Sequence, residues 1–521
     1  MNFTFLLYTL MFLIMPLGFI LGGGKLFELR NYHYIVISFS ILGFIFYKIN
    51  IIKNSFFSFS EPSKYCKYFL IITSFFAFIF DILSQYYGLS ISGIDFSIFE
   101  GMLQNSIAGN WGFEDITNIY HFGVHQNWIL LLIFPFYYLL PSPILLLIIG
   151  ALLIWLPGIL IIYLVKKLGY NDFIAYLSSI FWWISPFTVQ ALHGNFYPEF
   201  FYPIFIFSII IFYLEKKYLL LLLFTFLFLC VKEESFLYIL GFLMAIFLKN
   251  ILSKTPIKFP YYILFIILLM ILFFVYLNFF ITKPYFLNKQ NIHEVGYLNA
   301  WWGKWGNTPL EIVKSVLFNP LDVFINIFNS SGWKRLYIPL LFIPFLNLEV
   351  LFASIPIIFL YGIANGNPSN YSGYYPLVLW CLAVYGLFNK KLIPNWIIII
   401  ILFITPLLQP SWLGVERIKW REWNDIMIFK KQMNFNNLYC VHPGLWPYLS
   451  SLNLNVKNFY DAKNLNCSPV FSTASNPYPQ NIIEMKNLYE KTKKMNCIKY
   501  QLGSIVEVKN TKFCKDIINN I

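Results

Sequence analysis

The chain has 521 residues, of which 59% are hydrophobic, 21% aromatic and only 12% charged, with a mean hydropathy of +0.65. That composition excludes a protein that is water-soluble as a whole and describes a chain that threads a bilayer repeatedly. The net charge of +13 does not point to nucleic acid, because Lys and Arg fall in short clusters between apolar runs, as in segments retained on the inner side of a membrane.

The first apolar run, Asn2 to Leu21, lacks a basic leader and ends in LGGGK where a cleavage site would need small residues, so it is read as a retained span. The stretch Lys48 to Lys67 carries four lysines and is expected to be cytoplasmic. The same holds for Glu215-Lys216-Lys217, for the Lys249 to Lys258 loop and for Lys390-Lys391. About thirteen crossings then fit: 3–22, 34–52, 68–84, 144–165, 174–191, 199–214, 218–231, 235–249, 260–282, 336–347, 350–363, 374–389 and 393–409. The apolar segment 128–140 is about 20 Å long as a helix, short of a hydrocarbon core of about 30 Å, and is read as re-entrant or surface-lying.

With that threading, the polar loops converge on one external face. They are the 85–127 loop, HGNFYPEF (193–200), VKEES (231–235), YLNAWWGKWGNTP (297–309), ANGNPSNYSGYY (364–375) and the polar tail after Gln409. The N-terminus is expected in the cytoplasm and the tail outside, in a cytoplasmic (inner) membrane. The tail, 410–521, reads as a small α/β domain and holds Cys440, Cys467, Cys497 and Cys514, enough for one or two disulfides whose pairing the spacing leaves open. Cys66, Cys230 and Cys381, in or beside spans, read as packing residues.

The 85–127 loop contains Asp95, Glu100, Glu114 and Asp115 and no Lys or Arg. Ser92-Gly93-Ile94-Asp95 and Ser97-Ile98-Phe99-Glu100 both fit a helix capping box, and the alternative is a general base or metal ligand at the water–lipid boundary. On one helix Asp95 and Glu100 lie about 140° apart, so they are not a carboxylate pair. His121 and His125 share a helical spacing, but neither an HExxH nor a cysteine-ligand pattern supports a metal site. Glu199 follows Pro198 where a carboxylate suits a helix N-terminus; Lys232, Glu233 and Glu234 interrupt two apolar helices, either as a plain turn or as a functional charge cluster. Lys304 lies among Trp301, Trp302 and Trp305, an arrangement suited to an interfacial belt or to a sugar ring and a lipid phosphate.

In order along the chain, GIDFSIFEGML, HQNWILLLIFPFYYLLPSP, NFYPEFFYP, LCVKEESFLYILGF, WGKWGNTPLEI and IPFLNLEVLFASIPIIFLYGI resemble the polytopic domain-of-unknown-function family 2079, over about residues 70 to 475. That family is similar to the C-fold (GT-C) membrane glycosyltransferases, which include protein mannosyltransferases and aminoarabinose transferases. The resemblance implies an all-α, GT-C-like core at 68–409, preceded by two extra spans in 1–67 and followed by the 410–521 domain. It also implies a polyprenyl-phosphate sugar as donor and an acidic residue in the first large external loop as the catalytic group. Asp95 and Glu100 match the two acids of its D-x-x-I-F-D/E-type motif, His125 its following histidine, and Glu199 the acid of F-H-P-E. Lys232 and Glu233 match K-E-D, with Glu234 in place of the Asp, and Lys304 its basic residue before an aromatic-Gly pair. Asn195 and Tyr197 depart from F-H-P-E, and His193 is no evident substitute.

The expected activity is inverting transfer of a sugar to an extracytoplasmic acceptor (glycan, lipid or protein). Asp95 would act as general base, with Glu100 beside it as a second catalytic acid. His125, Glu199, Lys232, Glu233, Trp302 and Lys304 would bind substrate, with Lys304, Lys232 or a divalent cation (Mg or Mn) receiving the phosphate charge. A transporter or flippase for a lipid-linked sugar, and a catalytically silent assembly scaffold, are the alternatives. The transporter reading suits polar residues at mid-bilayer, whereas here they gather at one face.

Overall fold

The computed structural model describes residues 3–20, 62–91, 93–193, 195–252, 259–290, 297–388, 393–408, 417–434, 436–450 and 456–519, together with 38, 41, 42 and 45. The expected crossing at 34–52 and the basic clusters at 253–258 and 390–391 lie outside the described residues.

Among the described residues four helices are long and apolar enough to cross a membrane: Lys64–Tyr87, Pro143–Lys167, Pro198–Glu215 and Tyr261–Lys289. Eight shorter apolar helices accompany them. Lys64–Tyr87 buries Leu70, Thr73, Ser74, Ala77, Phe78, Asp81 and Ile82, a stripe at helical spacing, while Tyr68, Phe69, Ile72 and Phe76 stay exposed on the other side. The N-terminal helix Phe3–Ile20 packs along that span and beyond it, with Phe12 edge-on to Trp183 and Phe19 against Phe80.

Prolines set the irregularities. Pro157 removes a donor inside the Pro143–Lys167 span, and the indoles of Trp182 and Trp183 donate to the carbonyls of Ile154 and Trp155 at that bend. Only glycine fits at 158, because a Cβ there would stand 2.3 Å from the Trp183 Nε1. The expected crossing at 174–191 is two helices, Asp172–Ile184 and Pro186–Leu192, parted at Ser185-Pro186. The expected crossing at 336–347 does not form. A short helix Gly332–Tyr337 gives way to left-handed residues Leu341 and Phe342 and a 3₁₀ turn Ile343–Leu346, since Pro339 and Pro344 cannot donate within a continuing helix. The segment after Trp128 forms a ten-residue helix, Leu130–Leu139, about 15 Å long, with Leu131, Leu132, Phe136 and Leu139 exposed.

The tail folds around a five-stranded sheet of order β4-β3-β5-β7-β6, formed by β3 (Tyr439–Val441), β4 (Val456–Asn458), β5 (Ser468–Ser472), β6 (Ile498–Leu502) and β7 (Ile505–Val508). β3 runs parallel to β4 and β5, and β7 is antiparallel to both β5 and β6. Helices Ile482–Lys494 and Lys512–Asn519 cover a core of Phe459, Phe471, Met485, Leu488, Val506 and Ile518. All four tail cysteines are paired, Cys440 with Cys467 and Cys497 with Cys514, while Cys230 and Cys381 are buried free thiols and Cys66 is a half-buried one.

This domain sits directly on the acidic loop. The Tyr448 hydroxyl donates to the Tyr86 carbonyl (3.0 Å), the Asn476 amide to the Ser90 carbonyl (3.2 Å) and the Lys419 N–H to the Tyr87 carbonyl (3.0 Å). Gly93 opens the loop helix Gly93–Ile107 so close to the Pro443 carbonyl that a Cβ would stand 2.0 Å from its oxygen.

Candidate functional site

The loop helix begins at Gly93; Ser92, the cap of the first capping reading, lies outside the described residues, and the second reading, with Ser97 as cap, does not form. Asp95 lies in its first turn with its carboxylate accepting from the Tyr197 hydroxyl at 2.7 Å. Ser97 lies inside the helix, its hydroxyl buried without a partner, so it is no N-cap for Glu100. Burial, with Glu199 nearby, pushes the Asp95 carboxyl above its ordinary range, and the Tyr197 hydrogen bond pulls the other way.

The four acids of the loop have separate surroundings. Glu100 is fully buried against the C-terminal domain. It accepts from the Ser450 hydroxyl (3.0 Å), from Gln104 (3.1 Å) and from the Tyr137 hydroxyl (3.4 Å), and burial pushes its pKa up to about 7. Glu114, in β1 (Phe113–Glu114), turns back on its own hairpin to β2 (Ile119–Tyr120) and accepts from the backbone N–H of Ile116 and Thr117 (2.7 and 3.0 Å). Asp115 accepts from Asn105 (2.8 Å) and pairs with Lys457 of the C-terminal domain. Asp95 is thus the loop acid hydrogen-bonded to the HGNFYPEF segment, through Tyr197.

Tyr197 packs its ring on Tyr374, centroid to centroid 4.6 Å, and Tyr374 accepts from the Lys232 ammonium at 3.3 Å. Lys232 is 4% exposed and lies 3.0 Å from Glu199 Oε1 and 3.3 Å from Glu234 Oε1. Its two acids hold it charged against the cost of burial. Glu234 also accepts from Tyr238 (3.2 Å) and Tyr361 (3.5 Å). Glu233 points to the other side of the same turn, where it meets His125 Nδ1 at 2.7 Å and accepts the Gln126 N–H at 3.1 Å. Although burial opposes it, the charges of His125 and Lys232 bring the Glu233 carboxyl down to about 2. Asn127 donates to the Val231 carbonyl (2.8 Å) and the Ile129 N–H to the Cys230 carbonyl (2.8 Å), which fixes the end of the acidic loop against the charged turn.

Five of the eight expected residues therefore form one continuous patch: Asp95, His125, Glu199, Lys232 and Glu233. Glu100 is turned into the domain seam. Trp302 and Lys304 lie behind the patch: the Trp302 indole donates to the Leu360 carbonyl (3.2 Å), and Lys304 donates to Asn326 (2.9 Å) beside the Trp305 ring. They brace the 360–366 segment, whose Tyr361 touches Glu234.

Among the described residues, three buried polar atoms of the 193–199 segment have no hydrogen-bond partner: His193 Nε2, Asn195 Oδ1 and Glu199 Oε2. Unpaired buried groups of this kind are uncommon and mark polar space that a hydroxyl-rich ligand would satisfy. Among the described residues no three His, Cys, Asp or Glu side chains are grouped to hold a metal ion.

Sequence reasoning missed Tyr374 and Lys283 and left the role of Tyr197 open. Lys283 is half-buried late in the Tyr261–Lys289 span, after a π-helical stretch Leu277–Thr282, and is close enough to Glu233 for the two charges to attract. The outward end of that span stacks Phe286 on Phe122 (5.6 Å), and its Asn278 accepts from the Trp128 indole (2.9 Å). A lysine closing a long apolar run is a legible signal; nothing local distinguished Tyr374 from its neighbours.

A family model described as a predicted membrane protein (DUF2079) matches residues 85–408, more than half of the chain. No curated protein matches the sequence. Two crystal structures of ArnT from Cupriavidus metallidurans are similar in fold. The apo form has 12% identity and a TM-score of 0.46 over 85% of this chain and 98% of the other. The form bound to undecaprenyl phosphate has 11% identity and a TM-score of 0.50, over 86% and 99%. At that identity the likeness of the second structure shows a shared fold and not the chemistry. The chain is a membrane protein and belongs to the DUF2079 family.

Proposed function

We propose that the protein is an inverting membrane glycosyltransferase that takes a sugar from a polyprenyl-phosphate donor. The observation that carries the reading is Asp95. It is half-buried and accepts from the Tyr197 hydroxyl, whose ring packs on the Tyr374 that accepts from Lys232, and burial raises its pKa in the direction useful to a general base. The ArnT structure of similar fold is bound to undecaprenyl phosphate, which supports a lipid of that class as partner.

Asp95 accepts the proton of the acceptor hydroxyl as that oxygen bonds to the anomeric carbon. The bond from that carbon to the phosphate oxygen breaks on the opposite face, its electron pair stays on the phosphate, and the configuration inverts. Lys232 is neutralised by Glu199 and Glu234, and Lys304 by its distance from the patch is a bracing residue. Lys283, on the Glu233 side of the patch and on a helix whose Phe273, Tyr276 and Phe280 are exposed, receives the leaving phosphate in this reading. The unpaired Glu199 Oε2 and Asn195 Oδ1 are suited to sugar hydroxyls. The active face is proposed to be extracytoplasmic, with the 417–519 domain beside the acceptor.

The test uses purified full-length protein in lipid with a panel of radiolabelled polyprenyl-phosphate sugars. Wild type is expected to transfer the sugar or slowly release it to water, and Asp95→Asn to lower that rate about 10²–10⁴-fold at unchanged thermal midpoint. Donor binding without turnover in wild type would instead favour a flippase or a silent scaffold and overturn the reading.

A further inference from the structure

The opposite end of the membrane core, far from Asp95, carries a second chemistry. Four helices bring charged ends together there: Lys67 at the start of Lys64–Tyr87, Lys166 and Lys167 at the end of Pro143–Lys167, Asp172 at the start of Asp172–Ile184, and Glu215 at the end of Pro198–Glu215. The other ends of these elements reach Tyr86, Tyr87 and Glu199, at the domain seam and the Asp95 patch.

Each carboxylate in this cluster is shared by two lysines. Asp172 pairs with Lys67 and with Lys166 (2.8 Å), and Glu215 with Lys217 (2.7 Å) and Lys167 (3.4 Å). Four ammonium groups against two carboxylates leave a net charge of +2. A cavity of about 550 Å³ opens at this point, with Ile71, Ile159 and Ile162 as its apolar wall and Tyr163, Lys166 and Lys167 at its rim. Lys166 and Lys167 keep nearly half of their side-chain surface exposed, so their remaining N–H donors are available to a ligand. Tyr163 is held in place by a hydrogen bond to Glu215, and Lys67 lies over the Tyr176 ring at 5.6 Å.

We propose that this cavity binds the headgroup of an anionic phospholipid. Two unmatched positive charges at the membrane boundary suit a phosphodiester, and the isoleucine wall suits the first carbons of its acyl chains. That wall is why the occupant is a lipid and not free phosphate, which would leave the apolar side of the cavity wet. The tyrosines supply the interfacial hydroxyls that commonly flank lipid headgroups. The site is independent of the catalytic reading, since it shares no residue with the Asp95 patch.

The experiment is native mass spectrometry of the full-length protein with equimolar phosphatidylglycerol and phosphatidylcholine of matched chains. Wild type is expected to retain phosphatidylglycerol by roughly 30-fold, the ratio for two cations at an anionic membrane surface. Lys166→Gln with Lys167→Gln should abolish that preference. It leaves Lys67 on Asp172 and Lys217 on Glu215, so neither carboxylate loses its last cation. Should the double variant fail to fold, Lys167→Gln alone is expected to lower the preference roughly 5-fold. Lys491→Gln, on the distant Ile482–Lys494 helix, should keep it. Equal retention of both lipids by wild type, an unchanged preference in the double variant, or displacement of the lipid by millimolar inorganic phosphate would each overturn the proposal.

Discussion

Asp95 and Tyr197 illustrate what one hydrogen bond does at a half-buried carboxylate. Burial raises the Asp95 pKa and the Tyr197 hydroxyl lowers it, so removing the hydroxyl raises it further. Tyr197→Phe is therefore expected to move the acidic limb of the transfer profile to higher pH, with the loss of rate greatest below neutrality; a pH series of turnover under saturating donor checks it. Lys232 is a different case, a buried cation with two acids. Lys232→Met leaves Glu199 and Glu234 without a counter-charge and should cost about 3–5 kcal/mol, read by equilibrium unfolding in mixed micelles. Adding Glu199→Gln and Glu234→Gln should restore much of that loss, because the penalty belongs to uncompensated charge. The acids of the loop were legible as a group but not individually. Glu100 and Asp115 are bonded to Ser450 and Lys457, 350 and 342 residues away in sequence, and no local pattern encodes partners at that distance.

Among elements, hydropathy located the long spans and prolines decided where it failed. The run at 336–347 is as apolar as its neighbours, yet Pro339 and Pro344 leave it with a single helical turn and left-handed residues at 341 and 342. Likewise Ser185-Pro186 divides one expected crossing into two helices, the second of which, Pro186–Leu192, is buried except at Gln190. In the C-terminal sheet, the Cys440–Cys467 disulfide ties β3 to the chain entering β5, two parallel neighbours joined by a long crossover. Replacing both cysteines by serine is expected to destabilise that domain by about 2–5 kcal/mol, measured as a shift in its denaturant midpoint with the membrane core monitored separately. The Cys497–Cys514 pair closes a shorter loop of 17 residues around β6 and β7, and its removal should cost less in the same measurement.

At the scale of the whole molecule, the C-terminal domain is the lid of the acidic loop, and Glu100 is the carboxyl in the seam. Its folded pKa of about 7 lies above the ordinary value of 4.5, so the folded state favours the protonated form. That contribution is fully present below about pH 4.5 and is lost as pH rises through about 7. Glu114, also pushed up to about 7 by burial, acts in the same direction, whereas His121, held down to about 3 by burial and His125, destabilises the fold as pH falls below 6.5. The difference between wild type and Glu100→Gln isolates the seam. The thermal midpoint of the variant is expected to gain on wild type between pH 5 and pH 8 and to run parallel to it above. A constant difference across that range would remove Glu100 from the linkage.

The sequence by itself determined that the chain lives in a membrane, that its polar loops are gathered at one face, that a cysteine-bearing domain follows the core, and which family the ordered motifs belong to. Those are properties of hydropathy, charge asymmetry and residue order, all readable in short windows. Only the tertiary structure decided which acid of the loop lies beside the charged turn, that Glu100 serves the domain seam, that Lys304 bonds Asn326 and not the patch, and that Lys283 comes near Glu233. Each depends on side chains from elements far apart in sequence meeting in space, which the packing of helices against one another sets and no local pattern records.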